Sequence, residues 1–328
     1  RVRSSAASDV YKRQVNDSRG TFNGGGVYVL SGGTFTMNND ASVTDNKASS
    51  NYNSILNGAG VYVSGKGSTF TMHDSASVTN NAASGYKTGT GDGGGVYVNG
   101  GKFEMNDDAT SVSGNTATNY GGGVYVSDTK STFTMNKSAS ITGNSASYGG
   151  GGVCASGGAF AMNGSSKVTK NTGIGVYVTG GTFTVSDSPT VMENTDKRDA
   201  ASNVYLTGSE ITITIGDYGL HGSENSIGVT KASDTLIATG SKDLTQEDAK
   251  KFKSDDDGYE VSVDTNDKTK LVLTRIAGQH THIWRYQTKG NDRSTIYVSC
   301  TGDGDCEYKT KPASVKISMT QSLSLIHI

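Results

Sequence analysis

The chain has 328 residues, of which 29 are Lys or Arg and 31 are Asp or Glu, so its formal net charge is −2. This balance leaves no basic excess to neutralise phosphates, and we expect neither nucleic acid nor an anionic membrane surface as a partner. No run approaches the roughly 18 apolar residues of a membrane-spanning helix, so we expect no membrane insertion within this segment. The 45 glycines are about twice the usual share of roughly 7% and favour many tight turns.

The two ends differ from the rest of the chain. The stretches Asp9 to Gln14 and Leu323 to Ile328 resemble translations of a sequencing-library adapter and of its reverse complement. We therefore exclude residues 1–14 and 322–328 from the fold prediction as adapter-derived. We also expect the parent protein to be longer, so that a missing signal peptide or anchor carries no information.

The main signal is an internal repeat over residues 15–220. Each unit contains a glycine-rich stretch, a Val-Tyr-Val segment, a segment of the type Phe-Thr-Met-Asn, a short run such as Ala-Ser-Val-Thr at residues 41–44, and an asparagine. The first segment recurs at residues 24–29 and around Val61, Val96, Val124, Val153, Val176 and Val204. The phenylalanines are Phe35, Phe70, Phe103, Phe133, Phe160 and Phe183, and the asparagines are Asn46, Asn81, Asn115, Asn144, Asn171 and Asn194.

Within each short segment the apolar residues alternate with polar ones, as Val27 and Val29 do around Tyr28. A period of two places one set of side chains inward and the other outward, so each unit contains three strands and three turns. Extra residues enter only between the asparagine and the next glycines, which a stacked coil tolerates. The sequence therefore predicts an all-β chain that forms a parallel β-helix of about seven or eight coils. The general chirality rule predicts a right-handed crossover.

The combination of Gly-Gly-Val with Phe-x-x-Asn, as in Phe35 to Asn38 and Phe103 to Asn106, resembles the repeat of chlamydial-type polymorphic outer-membrane proteins. The resemblance covers residues 20–195, and the pattern is looser at His73 and Ser186. It implies a right-handed, pectate-lyase-like solenoid and an adhesin role. The same repeat is similar to that of large wall-anchored surface proteins of gut anaerobes.

After residue 220 the repeat disappears, and residues 221–276 are expected to form a C-terminal cap that covers the open core. Their pattern predicts a short helix over Glu247 to Phe252 and strands over Tyr259 to Val263 and Leu271 to Thr274. A new composition with Trp284 begins near Gly278, and residues 277–321 resemble part of a second small β module.

The middle residue of the Val-Tyr-Val segment faces outward and is usually tyrosine, which predicts an exposed ladder. Its members are Tyr28, Tyr62, Tyr97, Tyr125, Tyr177 and Tyr205, interrupted by Cys154. Stacked aromatic residues can simply stabilise neighbouring strands. They can also form a platform for sugar rings or for a partner surface.

The asparagines at the turns are predicted to be structural, because an amide can pair with the equivalent amides above and below it. The longer inserts, Lys47 to Asn57 and Ala82 to Asp92, are expected to be polar corner loops. Such loops can carry a recognition site, or they can vary because the fold tolerates changes there.

The sequence does not favour polysaccharide cleavage or zinc binding. Many right-handed β-helices cleave acidic polysaccharides with clustered aspartates, but here the outward positions are mostly Thr, Ser and Tyr, and Asp107-Asp108 and Asp255 to Asp257 lie in expected turns. His280, His282, Cys300 and Cys306 supply four zinc-type ligands at a spacing that matches no familiar zinc motif. A disulfide between Cys300 and Cys306 is the favoured prediction in an exported protein, and Cys154 remains unpaired.

These patterns favour a non-catalytic, adhesin-like domain that is extracellular, on a cell surface or secreted. The expected partner is a glycan or protein of a host or neighbouring cell, and no cofactor or metal is expected. The alternative is a glycan-binding module that uses the tyrosine ladder, and the third hypothesis is a polysaccharide lyase or hydrolase.

Overall fold

A computed structural model of the chain describes residues 21–85, 90–232 and 235–276 with their side chains. It also describes the backbone of Val10–Tyr11, Gln14–Val15 and three strands after residue 283. The chain divides into two compact units, Arg1–Asp256 with Val261–Thr274 and Asp257–Glu260 with Arg275–Ile328. The first unit contains the repeats.

The first strand of each coil follows the glycines and pairs in parallel with its counterparts in the neighbouring coils. These strands are Val27–Leu30, Val61–Ser64, Val96–Asn99, Val124–Val126, Val153–Ala155, Val176–Val178, Val204–Leu206 and Ile227–Lys231. The register aligns equivalent residues, so that Tyr97 pairs with Tyr62 on one side and with Tyr125 on the other. Residues at equivalent positions of the sequence repeat therefore lie next to one another in adjacent coils.

The second strands form another parallel sheet, whose inward side is a column of stacked phenylalanine rings. The strands are Thr34–Met37, Thr69–Met72, Lys102–Met105, Thr132–Met135, Ala159–Met162, Thr182–Asp187, Ile213–Leu220 and Leu236–Gly240. From Phe70 to Phe183, each ring centroid lies 4.7–5.0 Å from the next and the rings are nearly parallel. All of these rings are fully buried, so the column forms the centre of the core.

The third strands are Ser42–Thr44, Ser77–Thr79, Ser111–Ser113, Ser140–Thr142, Lys167–Thr169 and Thr190–Met192. At the C-terminal end of the repeats, Ile227–Lys231 pairs with both Thr190–Met192 and Val204–Leu206, which joins the ladders of first and third strands into one sheet. The all-β parallel β-helix is thus confirmed, with eight first strands and eight second strands in the described residues. Its right-handed sense stays a prediction.

The inserts differ from the expected polar loops, because they add short parallel strands to the coils. One set is Gln14–Val15, Lys47–Ser49, Ala82–Ser84, Thr116–Ala117 and Ser145–Ala146, and another is Thr21–Asn23, Ile55–Asn57 and Thr90–Asp92. Ala48, Leu56, Ala59 and Ala83 pack with Phe22 in a small core of their own. These few apolar side chains order segments whose overall composition is polar.

The turn asparagines form one buried ladder of side-chain amides, as the sequence predicted. Each Nδ2 donates to the Oδ1 of the next asparagine, from Asn46 through Asn81, Asn115, Asn144, Asn171 and Asn194 to Asn203, over 2.7–3.2 Å. The same Oδ1 accepts the backbone N–H of the preceding asparagine, as Asn144 does from Asn115 at 2.9 Å. From Asn81 onward, each amide oxygen in the ladder therefore accepts from two donors of the preceding coil.

The ladder ends on a carboxylate that the sequence did not reveal. Asn203 lies where the earlier coils carry the third glycine, and its Nδ2 and backbone N–H donate to the two carboxylate oxygens of Asp255 at 2.6 and 2.8 Å. Thr230 donates to the same carboxylate. A carboxylate has no donor of its own when ionised, so Asp255 is a suitable last acceptor.

The glycine before each first strand makes room for this ladder. A Cβ on Gly123 would lie 3.1 Å from Nδ2 of Asn144, and one on Gly175 would lie 2.5 Å from Nδ2 of Asn194. Gly121, at the start of its triplet, has a φ of +64°, a conformation that side chains with a Cβ rarely adopt. The glycines and the asparagines are thus two parts of one corner.

Residues 227–240 add the last parallel coil without the glycine triplet or the phenylalanine. The expected short helix is Gln246–Ala249, which begins with a capping box at Thr245, and Phe252–Ser254 then pairs in parallel with Ile227–Lys231. Tyr259–Val263 and Lys270–Arg275 are strands, and the latter pairs antiparallel with Leu236–Gly240. The antiparallel strand ends the series of parallel pairings in the second sheet.

In the second unit the described strands are Trp284–Lys289, Asp292–Cys300 and Ala313–Lys316, which pair antiparallel in this order. The predicted Cys300–Cys306 disulfide and the His280 and His282 ligands depend on side chains that lie outside the described residues.

We predict that Asn144→Ala lowers the free energy of unfolding by about 2 kcal/mol or more. The substitution removes the acceptor of two buried donors of Asn115, and each unpaired buried donor costs about 1–3 kcal/mol. Urea unfolding measures the change. The control is Asn136→Ala, at a half-buried asparagine that pairs with Asn106 and should cost about 1 kcal/mol or less. Equal losses in the two variants would contradict a special role for the ladder.

A second stability prediction concerns Ser166, whose buried Oγ has no hydrogen-bond partner. Ala139 occupies the same position one coil earlier and is fully buried. Ser166→Ala should therefore stabilise the fold by about 1 kcal/mol, since it removes an unpaired buried hydroxyl. In contrast, Ser131→Ala should destabilise it, because Oγ of Ser131 accepts the backbone N–H of Gly100 at 2.7 Å. Thermal unfolding of both variants tests the opposite signs.

Candidate functional site

The candidate site is the outward face of the first strands, where the predicted tyrosines align in register. Tyr28, Tyr62, Tyr97 and Tyr125 form one row of adjacent rings with centroids 4.8–5.1 Å apart and interplanar angles of 31–76°. Tyr177 and Tyr205 form a second row, with centroids 5.8 Å apart. We call these six residues the tyrosine ladder. The structure brings them together as the sequence predicted.

The ladder is less exposed than predicted. Tyr28 is 47% exposed, but Tyr62 is only 4% exposed, and the other four are half-buried. The expectation of an open platform is wrong for Tyr62, because its ring lies 5.1 Å from the rings of both Tyr28 and Tyr97. Rings spaced at roughly the strand separation cover much of one another's faces.

Three hydroxyl groups of the ladder, those of Tyr62, Tyr97 and Tyr125, are hydrogen-bonded to the coil that follows. Nδ2 of Asn99 donates to the Tyr62 hydroxyl and the Ser156 hydroxyl donates to that of Tyr125, both at 3.0 Å. Tyr97 is hydrogen-bonded to the Ser127 side chain. These bonds fix the rings in place, so the ladder is a rigid part of the scaffold.

Cys154 interrupts the ladder, and a tyrosine outside the repeat motif fills the space. Cys154 is a free thiol, and it is buried. The ring of Tyr120 lies 6.4 Å from that of Tyr125 and 6.0 Å from that of Tyr177. It therefore connects the two rows of tyrosine rings across the coil that carries Cys154. The Tyr177 ring in turn lies against Gly149, where a Cβ would be 2.6 Å from the ring. The small residues Cys154 and Gly149 of one coil therefore leave space for the rings of Tyr120 and Tyr177 from the two adjacent coils.

Tyr148 extends this group into solvent. Its ring lies 5.9 Å from that of Tyr120 at an angle of 43°, and the residue is 71% exposed. Neither Tyr120 nor Tyr148 was predicted from the sequence as part of the site. The available signal was a tyrosine just before the glycines of two consecutive coils, Tyr120-Gly121 and Tyr148-Gly149.

A buried carboxylate lies beside the ladder. Asp92 is 9% exposed, and its Oδ1 accepts the backbone N–H of Tyr120 at 3.0 Å. Burial raises the pKa of Asp92, while hydrogen bonds from Tyr120 and Asn119 oppose that rise. The equivalent positions in the two preceding coils carry Asn57 and Asn23, so the acid replaces an amide of the series.

The hydroxyls of Tyr97 and Tyr125 and the thiol of Cys154 have pKa values above their usual ranges. Burial raises the pKa of Tyr125 to about 12, and the charge of Asp92 acts in the same direction. Burial also raises the pKa values of Tyr97 and of the Cys154 thiol. These groups therefore stay protonated at neutral pH, which gives a face with neutral hydroxyl groups.

The acidic runs considered for catalysis have structural partners. Asp107 accepts hydrogen bonds from Lys137, His73 and the backbone N–H of Asp74, and the bond from Lys137 lowers its pKa to about 2. Asp255 ends the amide ladder. Within the described ranges, no group of three or more His, Cys, Asp or Glu residues is arranged to hold a metal ion.

The fold and this face define the class of the chain as a parallel β-helix with an aromatic ladder on its first strands. Comparison of the chain with protein-family models, curated proteins and solved structures found no match. In the part of the chain that the structure describes, no helix is long and apolar enough to cross a membrane.

Replacing Asp92 with Asn tests the cost of the buried acid. Because the folded pKa of Asp92 is raised above its ordinary value of 3.8, the fold favours the protonated form and loses stability as pH rises through the folded pKa. Asp92→Asn should therefore be more stable than the wild type at pH 7, and this gain should shrink towards pH 3. Urea unfolding across this range measures it. A difference that does not change with pH would contradict the assignment.

Proposed function

We propose that this chain is a non-catalytic interaction domain of a bacterial protein that is displayed on the cell surface or secreted, with an adhesin-like role. The observation that carries the proposal is a rigid aromatic face on a continuously hydrogen-bonded scaffold. The amide ladder and the phenylalanine column run through the coils without a break, from Asn46 to Asp255 and from Phe35 to Phe183.

This arrangement suits recognition because the scaffold does not have to become ordered when a partner binds. The conformational entropy of the aromatic side chains is already lost on folding, which lowers the cost of association. The resemblance of the repeat to polymorphic outer-membrane proteins supports the same role and an extracellular location. A glycan or protein on a host or neighbouring cell is the proposed partner.

Glycan binding through the tyrosine face is the second candidate function. The partial burial of the tyrosines limits the surface that a glycan could contact. Partial burial leaves ring edges and the exposed ring of Tyr28 as contact surface. Polysaccharide cleavage is the third candidate. The structural contacts of Asp107 and Asp255 support a scaffold role for these acids.

The proposal predicts adhesion by the isolated chain. Beads coated with the full chain should adhere several-fold more than albumin-coated beads to at least one of three surfaces: epithelial cells, immobilised mucin or bacterial cells. Adhesion equal to that of the albumin control on all three would contradict the proposal. Release of reducing ends from polygalacturonate by the purified chain would instead favour the polysaccharide-degrading candidate.

A further inference from the structure

The most exposed part of the aromatic face lies around Tyr148, next to the break in the ladder. Its ring contacts Tyr120, which is stacked against Tyr177 at an interplanar angle of 10°. The packing of the fold accounts for Tyr120 and Tyr177, because they fill the space above Cys154 and Gly149. It does not account for Tyr148, since a ring that is 71% exposed contributes little burial.

We call Tyr120, Tyr148 and Tyr177 the tyrosine shelf. The shelf consists of neighbouring rings in two orientations, with Tyr148 tilted by 43° to Tyr120. Exposed aromatic surface of this kind on a soluble protein marks a binding site more often than scattered apolar residues do. The backbone that carries Tyr120 and Tyr148 is fixed by hydrogen bonds. The N–H of Tyr148 donates to the carbonyl of Asn119 at 3.0 Å, and the N–H of Tyr120 donates to Asp92.

The two sequence stretches that contain Tyr120 and Tyr148 are polar but uncharged. The chain carries no Asp, Glu, Lys, Arg or His between Asp108 and Asp128 or between Lys137 and Lys167, the two stretches that contain Tyr120 and Tyr148. Within these stretches, Thr116 and Ser147 are exposed, and Ser147 directly precedes Tyr148 in the chain. The Asp92 carboxylate of the preceding coil is buried and accepts the backbone N–H of Tyr120.

We infer that the tyrosine shelf binds a sugar ring of a neutral polysaccharide. The C–H groups of a pyranose face carry partial positive charge and suit the negative face of a tyrosine ring. Its hydroxyls suit the surrounding Ser, Thr and Asn side chains, which can both donate and accept. An anionic glycan would find no cationic side chain in these stretches, so charge complementarity favours the neutral class. This inference rests on the proposed interaction role and names its ligand class and site.

The test is affinity electrophoresis of the full chain in gels that contain galactomannan, mixed-linkage β-glucan, α-mannan or dextran, with polygalacturonate and alginate as acidic polymers. We expect at least one neutral polymer to retard the wild type. Tyr148→Ser should weaken that retention about tenfold or more, as the loss of a central aromatic contact does at binding sites. Tyr148→Phe keeps the ring and should retain most of the binding.

The matched control is Tyr218→Ser, because Tyr218 is 79% exposed and lies in Ile213–Leu220 of the second strands, outside the shelf. It should bind as the wild type does. Retention by no neutral polymer, retention by acidic polymers alone, or equal retention of Tyr148→Ser and wild type would overturn the inference. If coated beads still adhere to cells in any of these cases, the interaction role stands and only the ligand assignment fails.

Discussion

The buried amide ladder is the interaction on which every coil depends. From Asn81 onward, the side-chain oxygen of each asparagine accepts two hydrogen bonds from the preceding coil, and the Nδ2 of the same asparagine donates to the next coil. A coil that lacked the asparagine would leave buried donors unpaired on its neighbour, and burial makes that costly. The amide also needs a neighbour without a Cβ, which ties Gly123 to Asn144 and Gly175 to Asn194. The packing at this one corner of the coil therefore accounts for both the repeated asparagine and the repeated glycine of the sequence.

The strand ladders could be predicted because apolar and polar residues alternate with a period of two in every repeat. Only a stack of coils in register buries the same apolar face of each strand. The small core of the inserts could not, because Ala48, Leu56 and Ala83 are too few to stand out in a polar segment. Asp255 was also unpredictable as the ladder's last acceptor. It lies far from Asn203 in sequence, and only the folded coil shows that their side chains meet.

For the candidate site, the sequence predicted the alignment of the tyrosines but not their exposure. Facing outward from a strand does not ensure contact with solvent when aromatic rings follow one another at the strand spacing, and Tyr62 is buried for this reason. The tyrosine shelf escaped prediction because its rings cross from one coil to another. Tyr120 approaches Tyr177 only because Cys154 and Gly149 leave space between them.

The amide ladder also has a direction. In every amide of the ladder, one N–H of Nδ2 donates to the amide of the next coil, and the last one donates to Asp255. The amide dipoles of this chain therefore add along the axis of the coils and place their positive end against a carboxylate. An array of identical, aligned units can be lengthened or shortened internally without disturbing either end, because a duplicated coil presents the same acceptor and the same donor as the one it follows. Gain or loss of whole coils by unequal recombination would therefore change the area of the outward face while the electrostatics of the corner stay the same.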